Sequence, residues 1–230
     1  MKKTLLLLTF LFIGFTQAQT IIYVDVDATG ANNGSSWANA YTSLHSALGI
    51  QTITGAQIWI AEGTYMPVNK NTPMLNQYGV SIYGGFVGTE TSLSQRSTDP
   101  WAHPVYLTGD LALDDANELP SATSANKTDN APIILKIEPN SASKTQEITL
   151  ERLHFVNAYG GSALYSHPSS SNEVQRKITV QNCRFSRNYA STRPAMDIWS
   201  NETVNDYTFE LFNSILDENV SDSGYAFEYR

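Results

Sequence analysis

The chain has 230 residues, 14 Lys and Arg against 22 Asp and Glu, a formal net charge of −8 and a single cysteine. So acidic a surface repels phosphate backbones, which argues against nucleic acid as a partner. One cysteine excludes an intramolecular disulfide, while a hydrophobic share of 41% supplies a real core.

Residues 1–18 carry Lys2 and Lys3, an apolar run from Leu5 to Phe15, and small residues before a cut after Ala18. This is the pattern of a secretory signal peptide, too short and wrongly flanked for a retained span. Its removal takes away Lys2 and Lys3 and no acid, so the formal charge moves from −8 to −10. Residues 19–230 contain no further candidate transmembrane segment and read as one domain, mostly strand and turn.

After a first strand at "IIYVDV", the stretch "GSSWANAYTSLHSAL" places Trp37, Tyr41, Leu44 and Leu48 on one face behind Ser35 or Ser36 as N-cap, which predicts one short amphipathic helix. His45 lies off that stripe and is expected to face solvent. Further strands are predicted from Ala56 to Ala61, Tyr78 to Phe86, Pro104 to Leu111 and Ala131 to Ile137.

The run "YGGFVGTETSLSQRS" has the glycine spacing of an anion-cradling loop at Gly84, Gly85 and Gly88, but neither a Lys-Ser pair nor a helical period follows. It reads better as a corner. Val80, Ile82 and Gly84 alternate inward, the glycine pair permits a sharp bend, and Arg96 becomes a donor to turn carbonyls or to a carboxylate such as Glu90 or Asp110. The polar, aperiodic "ALDDANELPSATSANKTDN" beyond it predicts an exposed excursion.

The last third repeats. "ITLERLHFVN" from Ile148, "ITVQNCRFSRN" from Ile178 and "FELFNSILDEN" from Phe209 align at offsets of 30 and 31 residues. Phe155, Phe185 and Leu216 fall in register, as do Leu150, Val180 and Leu211, and Asn182 with Asn213. A second apolar piece follows each copy: "GSALYS", "PAMDIWS" and "GYAFEYR". Two strand-like pieces per unit and no helix mean a solenoid whose windings bury one another's inward residues. Parallel crossovers are overwhelmingly right-handed, so the expected fold is an all-β, right-handed parallel β-helix with a short N-terminal capping helix, about seven coils and about 30 to 35 Å tall. Cys183 is expected to be a buried filler rather than a nucleophile.

The segments "YVDVDATGANNGSSWANAYTSLHSAL", "IWIAEGTYMP", "YGGFVGTETSLSQR" and "LTGDL", in that order, resemble the N-terminal part of secreted bacterial right-handed β-helix proteins. These belong to the pectin-lyase-like superfamily, relatives of polymorphic outer membrane proteins, common in Gram-negative species with a type IX secretion route. The resemblance spans roughly Tyr23 to Tyr229. It implies a cap helix over the first coil and an extracellular or cell-surface life. Family members are usually longer, and Phe209, Leu211, Leu216 and Phe227 of the last repeat have no cap in this sequence, so a truncated chain is expected; otherwise further coils or another chain stack on that open coil.

The enzymes of the superfamily are polysaccharide lyases and hydrolases. A lyase of uronic acids needs Ca²⁺ or a basic cluster and a Lys or Arg base, a hydrolase a pair of carboxylates. Arg152 and Arg184 sit at neighbouring positions of successive repeats and read as a solvated face; the charges as a whole are expected to be scattered. Asp110, Asp114 and Asp115, with Asp129 nearby, are candidate Ca²⁺ ligands, the one cofactor the sequence suggests. Tyr165, Trp199 and Tyr229 fall at similar places in the second piece of each repeat, as a column of rings for stacking on sugars or as buried rings inside the coil. No catalytic residue is assigned. The expected function is a secreted or cell-surface β-helix serving as a non-catalytic adhesion, structural or glycan-contacting module; the alternative is a carbohydrate-active lyase or hydrolase.

Overall fold

A computed structural model describes residues 19–50, 55–115, 119–138, 145–167, 175–199 and 207–229. The signal-peptide segment lies outside the described residues. The chain opens with β1 (Ile21–Val24), α1 (Leu44–Leu48), β2 (Gln57–Ala61), β3 (Gly63–Tyr65) and β4 (Met74–Asn76). It continues through β5 (Ser81–Phe86), β6 (Val105–Thr108), β7 (Leu135–Ile137), β8 (Thr145–Glu151), β9 (Leu153–Val156) and β10 (Leu164–Ser166). The last passages are β11 (Gln175–Gln181), β12 (Arg184–Ser186), β13 (Tyr189–Ala190), β14 (Met196–Ile198), then β15 (Tyr207–Phe212), β16 (Ile215–Asp217), β17 (Val220–Ser221) and β18 (Phe227–Tyr229).

The fold is all-β with parallel sheets. The first sheet runs β1-β2-β5-β8-β11-β15, the second β3-β6-β9-β12-β16 and the third β4-β7-β10-β14-β18. Every pairing among the named strands is parallel. From β2 onward the chain therefore visits the first, second and third sheets in that order five times among the described residues. The sequence spacing suggested about seven windings. The difference arises because the described residues of 25–50, 87–104, 109–115 and 119–134 leave the repeating path and spend chain on the N-terminal end and the flanks.

The repeat register holds. Ile178 pairs with Ile148 and Phe209, and Phe185 with Phe155 and Leu216. The Phe155 and Phe185 rings stack 4.6 Å apart at 2°. One apolar cluster, from Ile22 to Ile198, threads all three sheets. In the last passage Phe209, Leu211, Leu216 and Phe227 pack on it only half-buried, because β15, β16 and β18 are edge strands among the described residues.

Corners explain the asparagines. Asn182 and Asn213 adopt φ of 53° and 42°, and the Asn213 Nδ2 donates to Asn182 Oδ1 at 2.5 Å, a ladder that the small, αL-tolerant Asn can build. A second ladder is internal. Asn188, fully buried, donates from Nδ2 to Phe155 O and Asn219 Oδ1 while its Oδ1 accepts from Ala158 N. Cys183 is buried, its thiol pushed up to about 12 by burial, and its Sγ lies against Leu150 O.

The predicted single helix is two pieces. Ser36 caps a 3-10 turn over Trp37–Asn39, and Ser43 caps α1. Between them Tyr41 is drawn into the sheet edge, donating its N–H to Tyr23 O and accepting from Asp25 N, both at 2.9 Å. Strand pairing takes the backbone groups that a continuous helix would need. No helix among the described residues is long and apolar enough to cross a membrane.

Candidate functional site

The third sheet alternates as a half-buried strand must. Met74, Leu135, Leu164 and Met196 point inward and are fully buried. Their neighbours face out: Leu75 pairs with Lys136, Lys136 with Tyr165, Tyr165 with Asp197, and Asp197 with Glu228. One residue past the next inward position come Glu138, His167 and Trp199, so two outward rows lie side by side.

Aromatic rings form the spine of this face. Tyr165 and His167 stack 4.1 Å apart at 28°, and His167 meets Trp199 at 4.9 Å and 34°. All three are half-buried. Tyr165 Oη lies 2.8 Å from His167 Nδ1, and the other ring nitrogen lies 3.2 Å from Asp197 Oδ1. Burial, then the Asp197 charge, pushes the Tyr165 phenol above its ordinary range, so it stays neutral at physiological pH.

Charges flank the rings in pairs. Lys136 Nζ donates to Glu138 Oε1 at 3.0 Å and lies 5.9 Å from the Tyr165 ring centroid. Arg193 bridges Asp197, at 3.1 Å, and Glu228, with its guanidinium 5.9 Å from the Trp199 ring. The charges were expected to be scattered, yet on this face two cations and three carboxylates converge. Each is already engaged by another, which leaves neither a lone basic group nor a spare pair of carboxylates among the described residues of this face.

Sequence spacing had placed Tyr165, Trp199 and Tyr229 in one column. The register separates them. Tyr165 is level with Asp197 and Glu228, Trp199 lies two positions further on, and Tyr229 pairs with Ile198, a fully buried position; the Tyr229 side chain is outside the described residues. His167 joins Tyr165 to Trp199 instead. The two-residue slip came from aligning aromatic letters across a variable corner rather than aligning the inward Leu164 and Met196.

The aspartates divide. Asp115 forms a buried ion pair with Lys127 at 2.8 Å and accepts from Asn130 Nδ2 at 2.8 Å, which ties down the polar excursion instead of offering a metal ligand. Asp129 takes its place in the cluster: the carboxylates of Asp110, Asp114 and Asp129 bring oxygens within 4.8 Å of one another. Asp110 accepts from the N–H groups of Asp114 and Asp115, and Asp129 from that of Ala112. These hard oxygen donors suit Ca²⁺ in kind, but internal hydrogen bonds already use Asp110 and Asp129.

The glycine-rich corner answers its own question. The N–H groups of Val87, Gly88 and Thr89 converge on the Glu90 carboxylate at 2.9, 3.1 and 3.0 Å, so the anion in the cradle is the chain's own. Arg96 donates to Gly84 O at 2.8 Å and to Leu93 O, as expected of a turn donor, but its carboxylate is Glu151, at 3.1 Å, and neither Glu90 nor Asp110. Arg152 is also structural, donating to Ser97 O at 2.8 Å, and Arg184 pairs with Asp217.

No protein-family model, curated protein or solved structure matches the chain.

Proposed function

We propose that the chain is a right-handed parallel β-helix of the secreted, pectin-lyase-like kind, and that the outer face of its third sheet holds glycans without cleaving them. The observation that carries this reading is the half-buried ring row Tyr165, His167 and Trp199, bordered by self-neutralised ion pairs. A sugar presents an apolar C–H face and a rim of hydroxyls. The first stacks on rings, and the second both donates and accepts among paired charges. Right-handedness follows from the rule for parallel crossovers, and export from the signal-peptide pattern of residues 1–18.

Binding is favoured over catalysis for a chemical reason. A lyase needs an uncommitted base and a charge neutraliser, whereas Lys136 and Arg193 are occupied and the Tyr165 phenol is shifted away from ionisation. The test is an array of neutral plant and bacterial oligosaccharides probed with the protein and with Trp199→Ala. Retained folding with at least about tenfold weaker binding in the variant is expected. Equal binding by both proteins, or none by either, refutes the reading, and a rise in ultraviolet absorbance on incubation with polyuronate supports the lyase alternative.

A further inference from the structure

The outer face of the third sheet has two unlike ends. Among the described residues β18 is the edge strand at one end, whereas at the other the helix α1 packs against β4. In that corner lies a cavity of about 410 Å³. Its wall from α1 is His45 and Leu48, and its wall from the β4 region is Pro73, Leu75 and Tyr78. The Lys136–Glu138 ion pair, the start of the ring row, lines it too.

His45 was expected to face solvent. It is half-buried at the cavity wall, with its Nδ1 shielded from solvent and without a hydrogen-bond partner. The lining mixes apolar walls with Thr72, Gln77 and His45, which suits a ring with hydroxyls better than a hydrocarbon or an anion. An anion gains little here, because Lys136 is neutralised by Glu138 and the chain carries −8 overall.

Resting on the glycan-holding reading of this face, we infer that the cavity takes the terminal sugar of a neutral glycan whose next residues lie along Tyr165, His167 and Trp199. The face then recognises chain ends. From β7 to β14 the row covers two inter-strand steps, about 10 Å, the reach of a short oligosaccharide. The helix α1 bars continuation past β4, so a chain seated on the rings ends in the cavity. The size agrees, since about 410 Å³ is near the lower end of the roughly 300–1,000 Å³ of small-molecule pockets and holds sugar rings rather than a passing polymer.

The probes are β-1,4-linked hexaoses of glucose, xylose and mannose, each in three forms: unmodified, reduced to the alditol at one end, and O-methylated on the terminal residue at the other. Calorimetry is expected to show one end modification weakening binding at least about tenfold while the other changes it less than about twofold. Leu75→Trp, which fills the cavity, reproduces that loss, and His45→Ala weakens binding in the same direction at unchanged thermal midpoint. If both end-modified forms bind like the parent and these two variants bind normally while Trp199→Ala does not, end recognition is wrong and the glycan face stands. If the wild type binds no hexaose, both fall together.

Discussion

The corner at residues 84–97 and the outer face of the third sheet gather the same residue types: an arginine, glutamates and aromatic rings. At the corner the charges are spent on the backbone. Glu90 is held by three main-chain N–H groups, and Arg96, about nine-tenths buried, holds two main-chain carbonyls besides Glu151. On the sheet face the charges are spent on one another, through Lys136–Glu138 and Arg193 with Asp197 and Glu228, and the rings between them stay half-buried. Side chains bonded to main chain fix a loop, and the loop is lost with them. Side chains bonded to side chains shape a surface, and the sheet beneath survives their removal.

The sharpest test of that distinction is a pair of arginine truncations. Arg96→Ala leaves buried Glu151 with only the longer Arg152 contact, at 3.6 Å, and removes the guanidinium donors to Gly84 O and Leu93 O, a loss expected to cost about 3 kcal/mol. At about 2–4 °C per kcal/mol for a chain of this size, the thermal midpoint falls by about 10 °C. Arg193→Ala, on a more solvated sheet face, is expected to cost about 1 kcal/mol. Equal midpoints for the two variants in urea or heat would erase the distinction.

His154 gives the next largest effect, on the flank between these regions. It projects from the second sheet beneath Trp101 and Tyr106, with ring centroids at 5.5 and 5.2 Å, and is 6% exposed. Burial, then the Arg184 charge, lowers its pKa to about 4. An unfolded histidine titrates near about 6.5, so between these values the unfolded chain binds more protons. The stability from neutral His154 is therefore complete above about pH 6.5 and is lost as pH falls toward 4, on the order of 3 kcal/mol in all. Urea midpoints at pH 7, 6 and 5 should fall in the wild type more steeply than in His154→Phe; parallel slopes would show that His154 is not held neutral.

The sequence carried the fold in its last third because inward residues recur there with almost constant spacing, and Ile148, Ile178 and Phe209 pair as their letters align. It carried less of the first half. The passages through β2 and β5 are separated from the repeat by segments whose length varies, so no period survives. The candidate site was half legible. Tyr165 and Trp199 are visible as aromatics, but His167 follows Tyr165 across one inward residue and precedes a variable corner, and only the strand register shows that it bridges them. The pairing of Arg193 with Glu228 was invisible for the same reason: the two meet across a strand step, at a separation that no local motif encodes.

The smallest effect returns to the glycine corner and asks whether its cradle is generic for anions. Burial alone would raise the Glu90 pKa, but the N–H groups of Val87, Thr89 and Gly88 outweigh it and hold the carboxyl below its ordinary range. A depressed carboxyl stabilises the fold above its unfolded pKa and loses that contribution as pH falls through the lower folded value. Glu90→Gln is accordingly expected to cost about 1–2 kcal/mol at pH 7, with the deficit fading in acid. Glu90→Ala should lose a similar amount, and inorganic phosphate should restore part of it, because three N–H groups are then left converging on an exchangeable anion. A midpoint of Glu90→Ala that ignores phosphate would mean that the loop is shaped by its carboxylate and collapses without it, a corner in the full sense with no cradle of its own.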